Sequence, residues 1–261
     1  MSLAGRTALI TGSIGGIGNA TARALARDGC KVMLHGLEPL DVAEAARAAL
    51  ATETGVEVGL HRADLAQPDQ IEALVKHTET TLGPIDILVN NAVFRHLSPV
   101  EDFPLEAWSQ AVAVNLTAPF ILTKLVMAGM KARRWGRIIN MSSNYGTTAT
   151  INRVDYCATK AGILGLTRGV ALEGLPFGVT CNAICPGATL TPNAERQLQQ
   201  RMAASGLSRE ETVIQFLTER QPSRRFIEPA DVAELIHFLC GHAAREMTGT
   251  PISIDGGWLA I

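Results

Sequence analysis

Short runs that are apolar at nearly every position recur along the chain: "TALIT" (7–11), "KVMLH" (31–35), "VEVGL" (56–60), "IDILVN" (85–90), "RIINM" (137–141) and "VTCNAI" (179–184), with a shorter "PISID" at 251–255. Runs of this length, rich in β-branched residues and apolar on both faces, predict strands of a sheet covered on each side. Between them lie segments of helical character, such as "PLDVAEAARAALATET" (39–54) and "QIEALVKHTETTLG" (70–83). This alternation predicts an α/β fold built on a doubly wound parallel sheet. Right-handed crossovers then favour about seven strands in the order 3-2-1-4-5-6-7. No repeat, low-complexity tract or linker interrupts the pattern, so residues 1–261 read as one domain. The interval 189–225 stands apart because it is polar yet helical in spacing. It predicts a pair of short helices over the carboxyl ends of the strands, where a lid would sit.

Composition narrows the classes. With 47% hydrophobic and 18% charged residues the chain carries enough apolar material for a large core and too little charge for disorder. A net charge of −2 offers no basic face, so nucleic acid is not an expected partner. The opening "MSLAGRTALITG" leaves no room for a signal peptide before the first strand. Polar residues interrupt every apolar run before it reaches membrane-spanning length, so no membrane association is expected either. The five cysteines, at 30, 157, 181, 185 and 240, are odd in number and scattered. Cys181 and Cys185 lack partners at zinc spacing, so buried free thiols are expected and no metal site. The expectation is a soluble, cytoplasmic protein.

Chemistry enters first at "TALITGSIGGIGNATARALARDG", which joins the first strand to the first helix. Glycines at 12, 16 and 18 permit a tight turn there and let backbone N–H groups approach a pyrophosphate at the helix N-terminus. Flanked by a strand and an alanine-rich helix, the trio indicates a nucleotide-binding, Rossmann-type loop, with Gly12, Ser13, Gly16, Ile17 and Gly18 as its contacts. A second concentration lies in "SSNYGTTATINRVDYCATK", which holds both of the chain's two tyrosines. Tyr156 and Lys160 are four residues apart and would share a helix face. The same spacing also occurs on ordinary surface helices. A phenolate able to take a hydroxyl proton near neutral pH needs a cation beside it, and Lys160 can supply one.

Thr-Gly-x-x-x-Gly-x-Gly, "NNA" after the fourth strand, Asn115, Ser143, Tyr156-x-x-x-Lys160 and "PG" at 186–187 together resemble the short-chain dehydrogenase/reductase family. The likeness runs from about residue 5 to the closing "DGGW" at 255–258. It implies Tyr156 as acid/base, Lys160 as its tuner and cofactor-ribose anchor, and Ser143 as donor to the substrate oxygen. It implies Asn115 as holder of a proton-relaying water; Asn115 can equally be a polar helix residue satisfied by backbone groups. The resemblance places Asp64 and Leu65 at the adenine, although Asp64 could instead cap the helix after "RADL". It places Asn90 and Ala92 at the adenosine ribose, with Val93 where the family usually has glycine. It places Gly187, Thr189 and Thr191 at the nicotinamide, although Thr191 could serve as the cap of a helix starting near Pro192. Assembly as a homotetramer through helices around 104–132 and 153–175 is a further implication of the resemblance alone.

A 2′-phosphate needs Arg or Lys beside the end of the second strand or in the glycine loop. "HGLEPL" and "GSIGGIG" contain neither, Leu37 offers a phosphate nothing, and Glu38 would repel it, so NAD is favoured over NADP. Within the family, "VEDFPLEAW", "NAICPG" and "RQPSRRFIEPAD" most resemble the bacterial D-3-hydroxybutyrate dehydrogenases. Where those enzymes hold a small carboxylate with Gln, His, Lys and Gln, this chain has Arg95, Tyr145, Arg153 and Gln197. Ala188 stands in place of a pocket-closing tryptophan, while Trp258 is retained. The arginines keep the site cationic and suit a planar carboxylate, although both could be solvated surface charges. A small anionic substrate follows, 3-hydroxybutyrate or a bulkier acid, bound by Arg95, Ser143, Tyr145, Arg153, Tyr156 and Gln197. Two other readings stay open. One is a reductase of acyl-carrier, sugar or polyol substrates, and the other a nucleotide-sensing protein without turnover.

Overall fold

The computed structural model describes residues 2–218 and 220–260. Seven parallel strands form its centre: β1 (Thr7–Ile10), β2 (Lys31–His35), β3 (Val58–His61), β4 (Ile85–Asn90), β5 (Gly136–Met141), β6 (Val179–Pro186) and β7 (Pro251–Ile254). Their order is β3-β2-β1-β4-β5-β6-β7. Successive side chains on the inner strands feed opposite core layers, which is why those strands are apolar at most positions. Ala8 and Ile10 of β1, with Val32 and Leu34 of β2, join one layer, while Leu9 and Met33 join the other.

The first layer is closed by α1 (Gly16–Arg27), α2 (Leu40–Thr54) and α9 (Pro229–Cys240). The second is closed by α3 (Pro68–Leu82) and by α4 (Leu105–Val112) running into α5 (Ala118–Arg133), beside α6 (Val154–Gly174). Two further helices, α7 (Pro192–Ser205) and α8 (Arg209–Leu217), follow β6. Several expected boundaries shift by a residue or two. One such shift is in β3, which starts at Val58 rather than Val56 because its pairing with β2 begins only at Val32↔Val58.

Two expectations need correction. The continuous helix Leu105–Arg133 is long and apolar enough to cross a membrane by length and composition, with a mean hydropathy of 1.7 in its best window. Its interrupting polar residues are few, and one face (Ala111, Ala118, Leu122, Val126, Met130) is buried in the protein's own core. Cys157 is only half-buried, unlike the other four cysteines.

Within that helix a π-turn spans Ala113–Thr117. Pro119 has no N–H to give the carbonyl of Asn115 four residues back, so a regular α-helix cannot continue there. The Ala118 N–H bonds instead to Ala113, five residues back. The widened turn carries Asn115 into the interior.

Candidate active site

The glycine loop leaves β1 and enters α1 under tight backbone constraint. Gly12 has φ of +62°, and a Cβ there would stand 2.9 Å from the Cα of Ala92. A Cβ on Gly18 would run into the Gly12 carbonyl and stand 2.8 Å from the Cα of Ser13. Gly15 caps α1 without a side chain, and the first turn holds no acidic residue. The first N–H groups of the helix therefore have no competing anion, which is the arrangement a pyrophosphate needs.

The loop is held from outside by Asn91. Its Nδ2 donates to the carbonyls of Thr11 (2.9 Å) and Gly12 (2.8 Å), while Thr11 Oγ1 accepts from the N–H groups of Asn91 and Ala92. Asn90 turns its side chain into the sheet and donates to Asn140 Oδ1 at 2.8 Å, so only its backbone can face a ligand. Ser13 is buried and bonds to Ile10 and His35, while Ile17 packs on the core. Leu65 is in the opposite core layer. Asp64 does not cap α3, whose N-cap is Gln67; its carboxylate folds back onto the Ala66 N–H.

At the end of β2, Leu37 is 59% exposed. Its carbonyl accepts from Arg62 at 3.2 Å, which brings a cation from the end of β3 to this point. The motif windows "HGLEPL" and "GSIGGIG" do not contain that arginine. Only the pairing of β2 with β3 reveals it.

The carboxyl end of β5 and the first turns of α6 carry the candidate residues Ser143, Tyr156 and Lys160. Ser143, Tyr156, Lys160 and Asn115 are all buried. Ser142 Oγ donates to the Lys160 carbonyl at 2.9 Å, and the Lys160 ammonium donates to the Met141 carbonyl. The Lys160 nitrogen lies 5.5 Å from the centre of the Tyr156 ring. Burial alone would push the Tyr156 phenol up; Lys160, Arg95, the Ser143 hydroxyl and Arg153 outweigh it, holding the phenol below the ordinary tyrosine value. Burial also lowers Lys160, with Tyr156 opposing and Arg95 reinforcing that shift.

Asn115 is satisfied by backbone. Its Oδ1 accepts from the Phe94 N–H at 2.8 Å, and its Nδ2 donates to the Phe94 carbonyl at 3.0 Å and to Thr159 Oγ1 at 3.3 Å. Arg95, the next residue, projects its guanidinium over Tyr156, 5.5 Å from the ring centre. Arg153 is half-buried at the N-cap position of α6. Among the described residues neither arginine has a carboxylate partner. Tyr145 meets Tyr156 edge-on at 6.4 Å and Trp258 at 5.4 Å. Trp258 is set by Asp255, whose carboxylate accepts from the Gly257 and Leu259 N–H groups. Gln197, half-buried on α7, makes no side-chain hydrogen bond among the described residues.

Beyond β6, Thr191 caps α7 by accepting from the Ala194 N–H at 3.3 Å. Thr189 bonds to the Gly187 carbonyl. A Cβ on Gly16 would stand 3.6 Å from Pro192, so the start of α7 lies over the glycine loop. Gln221, fully buried, accepts from the Ala188 N–H at 2.9 Å and donates to the Arg225 carbonyl. It ties the exit of β6 to the segment that follows α8. It lies in the quoted "RQPSRRFIEPAD", where nothing in the sequence singled it out from its polar neighbours.

The family model described as short chain dehydrogenase matches residues 6–202. The D-beta-hydroxybutyrate dehydrogenase of Cupriavidus necator is 42% identical over 258 residues, covering 99% of each chain. That of Rhizobium meliloti is 40% identical over 255 residues, covering 98% of this chain and 99% of the relative. Among solved structures, L-sorbose reductase from Gluconobacter frateurii, complexed with NADPH and L-sorbose, superposes with a TM-score of 0.95 at 29% identity. That match covers 100% of this chain and 99% of the other.

Proposed function

The chain belongs to the short chain dehydrogenase family, and we propose that within it the protein transfers a hydride between NAD and a small 3-hydroxy acid, D-3-hydroxybutyrate or a bulkier relative. The observation that carries the substrate class is the convergence of Arg95 and Arg153, without carboxylate partners among the described residues, on the Tyr156 phenol. The names of the two relatives at 40% identity or more support the same class.

Gly12, Gly16, Gly18 and the open N-terminus of α1 would hold the cofactor's phosphates, and Thr189, Thr191 and Gly187 its nicotinamide end. When bound, that cofactor supplies the hydride acceptor. Tyr156 as phenolate takes the hydroxyl proton as the carbinol C–H bond breaks and the carbonyl forms; in reduction it returns that proton. Ser143 donates to the reacting oxygen, Lys160 stabilises the phenolate and anchors the ribose, and Asn115 completes the proton path. Arg95 and Arg153 hold the carboxylate, Tyr145 and Trp258 wall the pocket, and α7 with α8 serve as its lid over 189–225.

For NAD speak the absence of a basic side chain in the glycine loop and the exposed Leu37. Arg62 and the NADPH named in the sorbose reductase structure favour a second reading, reduction of a neutral polyol or sugar ketone with NADPH. A panel of hydroxy acids and neutral alcohols, assayed with both cofactors, decides between them. NAD-linked turnover confined to acids supports the first reading, and NADP-linked turnover of neutral substrates supports the second. Turnover of neither would leave a nucleotide-sensing protein.

The proposal extends to a homotetramer through α4–α5 and α6, where Leu105, Phe120 and Leu172 are exposed at 77%, 52% and 74%. Four buried, unpaired thiols accord with a cytoplasmic location.

A further inference from the structure

His35, the last residue of β2, lies directly behind the glycine loop and is buried. Both ring nitrogens are in use. Nδ1 accepts the Gly12 N–H at 3.2 Å, and Nε2 lies 2.8 Å from the Ala63 carbonyl. A carbonyl can only accept and an N–H can only donate, so the proton must sit on Nε2 and Nδ1 must be bare. The backbone adds two further ties, the Ser13 N–H to the His35 carbonyl at 2.8 Å and the His35 N–H to Ser13 Oγ at 2.9 Å. One imidazole thus spans the turn that Gly12 makes and the end of β3.

We infer that His35 is the positioning residue of the nucleotide-binding loop: its neutral imidazole latches Gly12 to Ala63, and protonation at Nδ1 opens the latch and weakens cofactor binding. An imidazolium would point an N–H at the Gly12 N–H, two donors face to face in a buried site. The turn that brings backbone N–H groups toward the phosphates would then have to shift. Burial resists that protonation and holds His35 below the ordinary histidine value.

The charged and titratable neighbours are His61 on β3, Glu38 after β2, Arg62 and Asp64 after β3, and His77 on α3, which stacks on His61 at 4.8 Å. The segment of the glycine loop facing the ring, from Thr11 to Ile14, has no titratable side chain. Among the described residues, only His35 touches Gly12 with a group that changes role on protonation.

The test uses NADH and NADPH binding to the purified full chain, read by nucleotide fluorescence from about pH 8 to about pH 5. Turnover is not needed, so the outcome is independent of the substrate assignment. Wild-type affinity should be level near neutrality and then fall by up to about tenfold per pH unit below the His35 value. His35→Asn, which keeps an acceptor for Gly12 but cannot titrate, should bind with no such fall. His35→Leu should bind about tenfold more weakly at neutral pH, with no acid fall of its own.

Thermal melting at each pH separates loop release from unfolding. Independently of any variant, imidazole nitrogen shifts in the wild type should show the Nε2–H tautomer at neutral pH. An Nδ1–H tautomer, a wild-type affinity that stays level through the pH at which the His35 nitrogen shifts titrate, or the same acid fall in His35→Asn would each overturn the inference.

Discussion

Replacing Arg95 by Met tests whether this arginine belongs to the chemistry or only to the surface. Its guanidinium carbon is 5.5 Å from the centre of the Tyr156 ring, and the residue is itself exposed. A unit charge at that distance stabilises a phenolate by about 3 kcal/mol at an effective dielectric of about 20, and by about 0.8 kcal/mol at the value of water. Exposure places Arg95 toward the lower figure. Losing it should therefore raise the working value of Tyr156.

The assay is the pH dependence of kcat/KM for a neutral secondary alcohol, which offers the arginine no carboxylate. Oxidation needs phenolate, so the rate falls as pH drops through the tyrosine value; without the cation that fall should begin at higher pH. With the preferred hydroxy acid the same variant also loses a charge-assisted contact of about 1.5–3 kcal/mol. KM for the acid should therefore rise by about ten- to a hundredfold. Equal losses on acid and neutral substrates, with the acid limb unmoved, would refute both roles and leave Arg95 a solvated surface charge.

Tyr156→Phe should abolish turnover while nucleotide binding, followed by fluorescence, stays near wild type, because only the proton acceptor is removed; substantial activity would end the mechanism. Lys160→Ala should damage rate and cofactor affinity together, and unchanged affinity would remove the ribose contact from its role. For cofactor choice, Leu37→Arg should narrow a preference for NAD. Arg62→Ala should leave the NAD kinetics unchanged if Arg62 serves only the Leu37 carbonyl; a selective loss with NADP would show that it reaches a 2′-phosphate.

Much of the fold was legible because the inner strands had to supply both core layers. Alternation within Ala8-Leu9-Ile10 or Val32-Met33-Leu34 leaves no polar face, and only a doubly covered sheet accepts such strands. The pairing of the candidate residues Tyr156 and Lys160 was legible because they are local partners on one helix. What escaped was long-range. Arg62 reaches Leu37 and His35 reaches Gly12 only after β1, β2 and β3 lie side by side, and no spacing in the chain encodes those meetings. Asn90 and Asn91 were hard to separate for a different reason. Side chains alternate at the end of a strand, and a register of one residue decides which amide enters the sheet and which holds the loop.

Asn115 shows how a bland role and a chemical one can be the same role. Its amide is fully occupied by Phe94 and Thr159, as a polar helix residue's should be. Yet Phe94 is the residue before Arg95, and Thr159 the residue before Lys160. The two cations that flank the Tyr156 ring at 5.5 Å are thus each one residue from an Asn115 contact. Asn115 reaches both because the helix opens into a π-turn at Ala113–Thr117, where Pro119 cannot complete a regular turn. A proline on a core helix therefore bears on the charges around the Tyr156 phenol. The arrangement makes the electrostatics of Tyr156 depend on a backbone irregularity as much as on the residues that carry the charge.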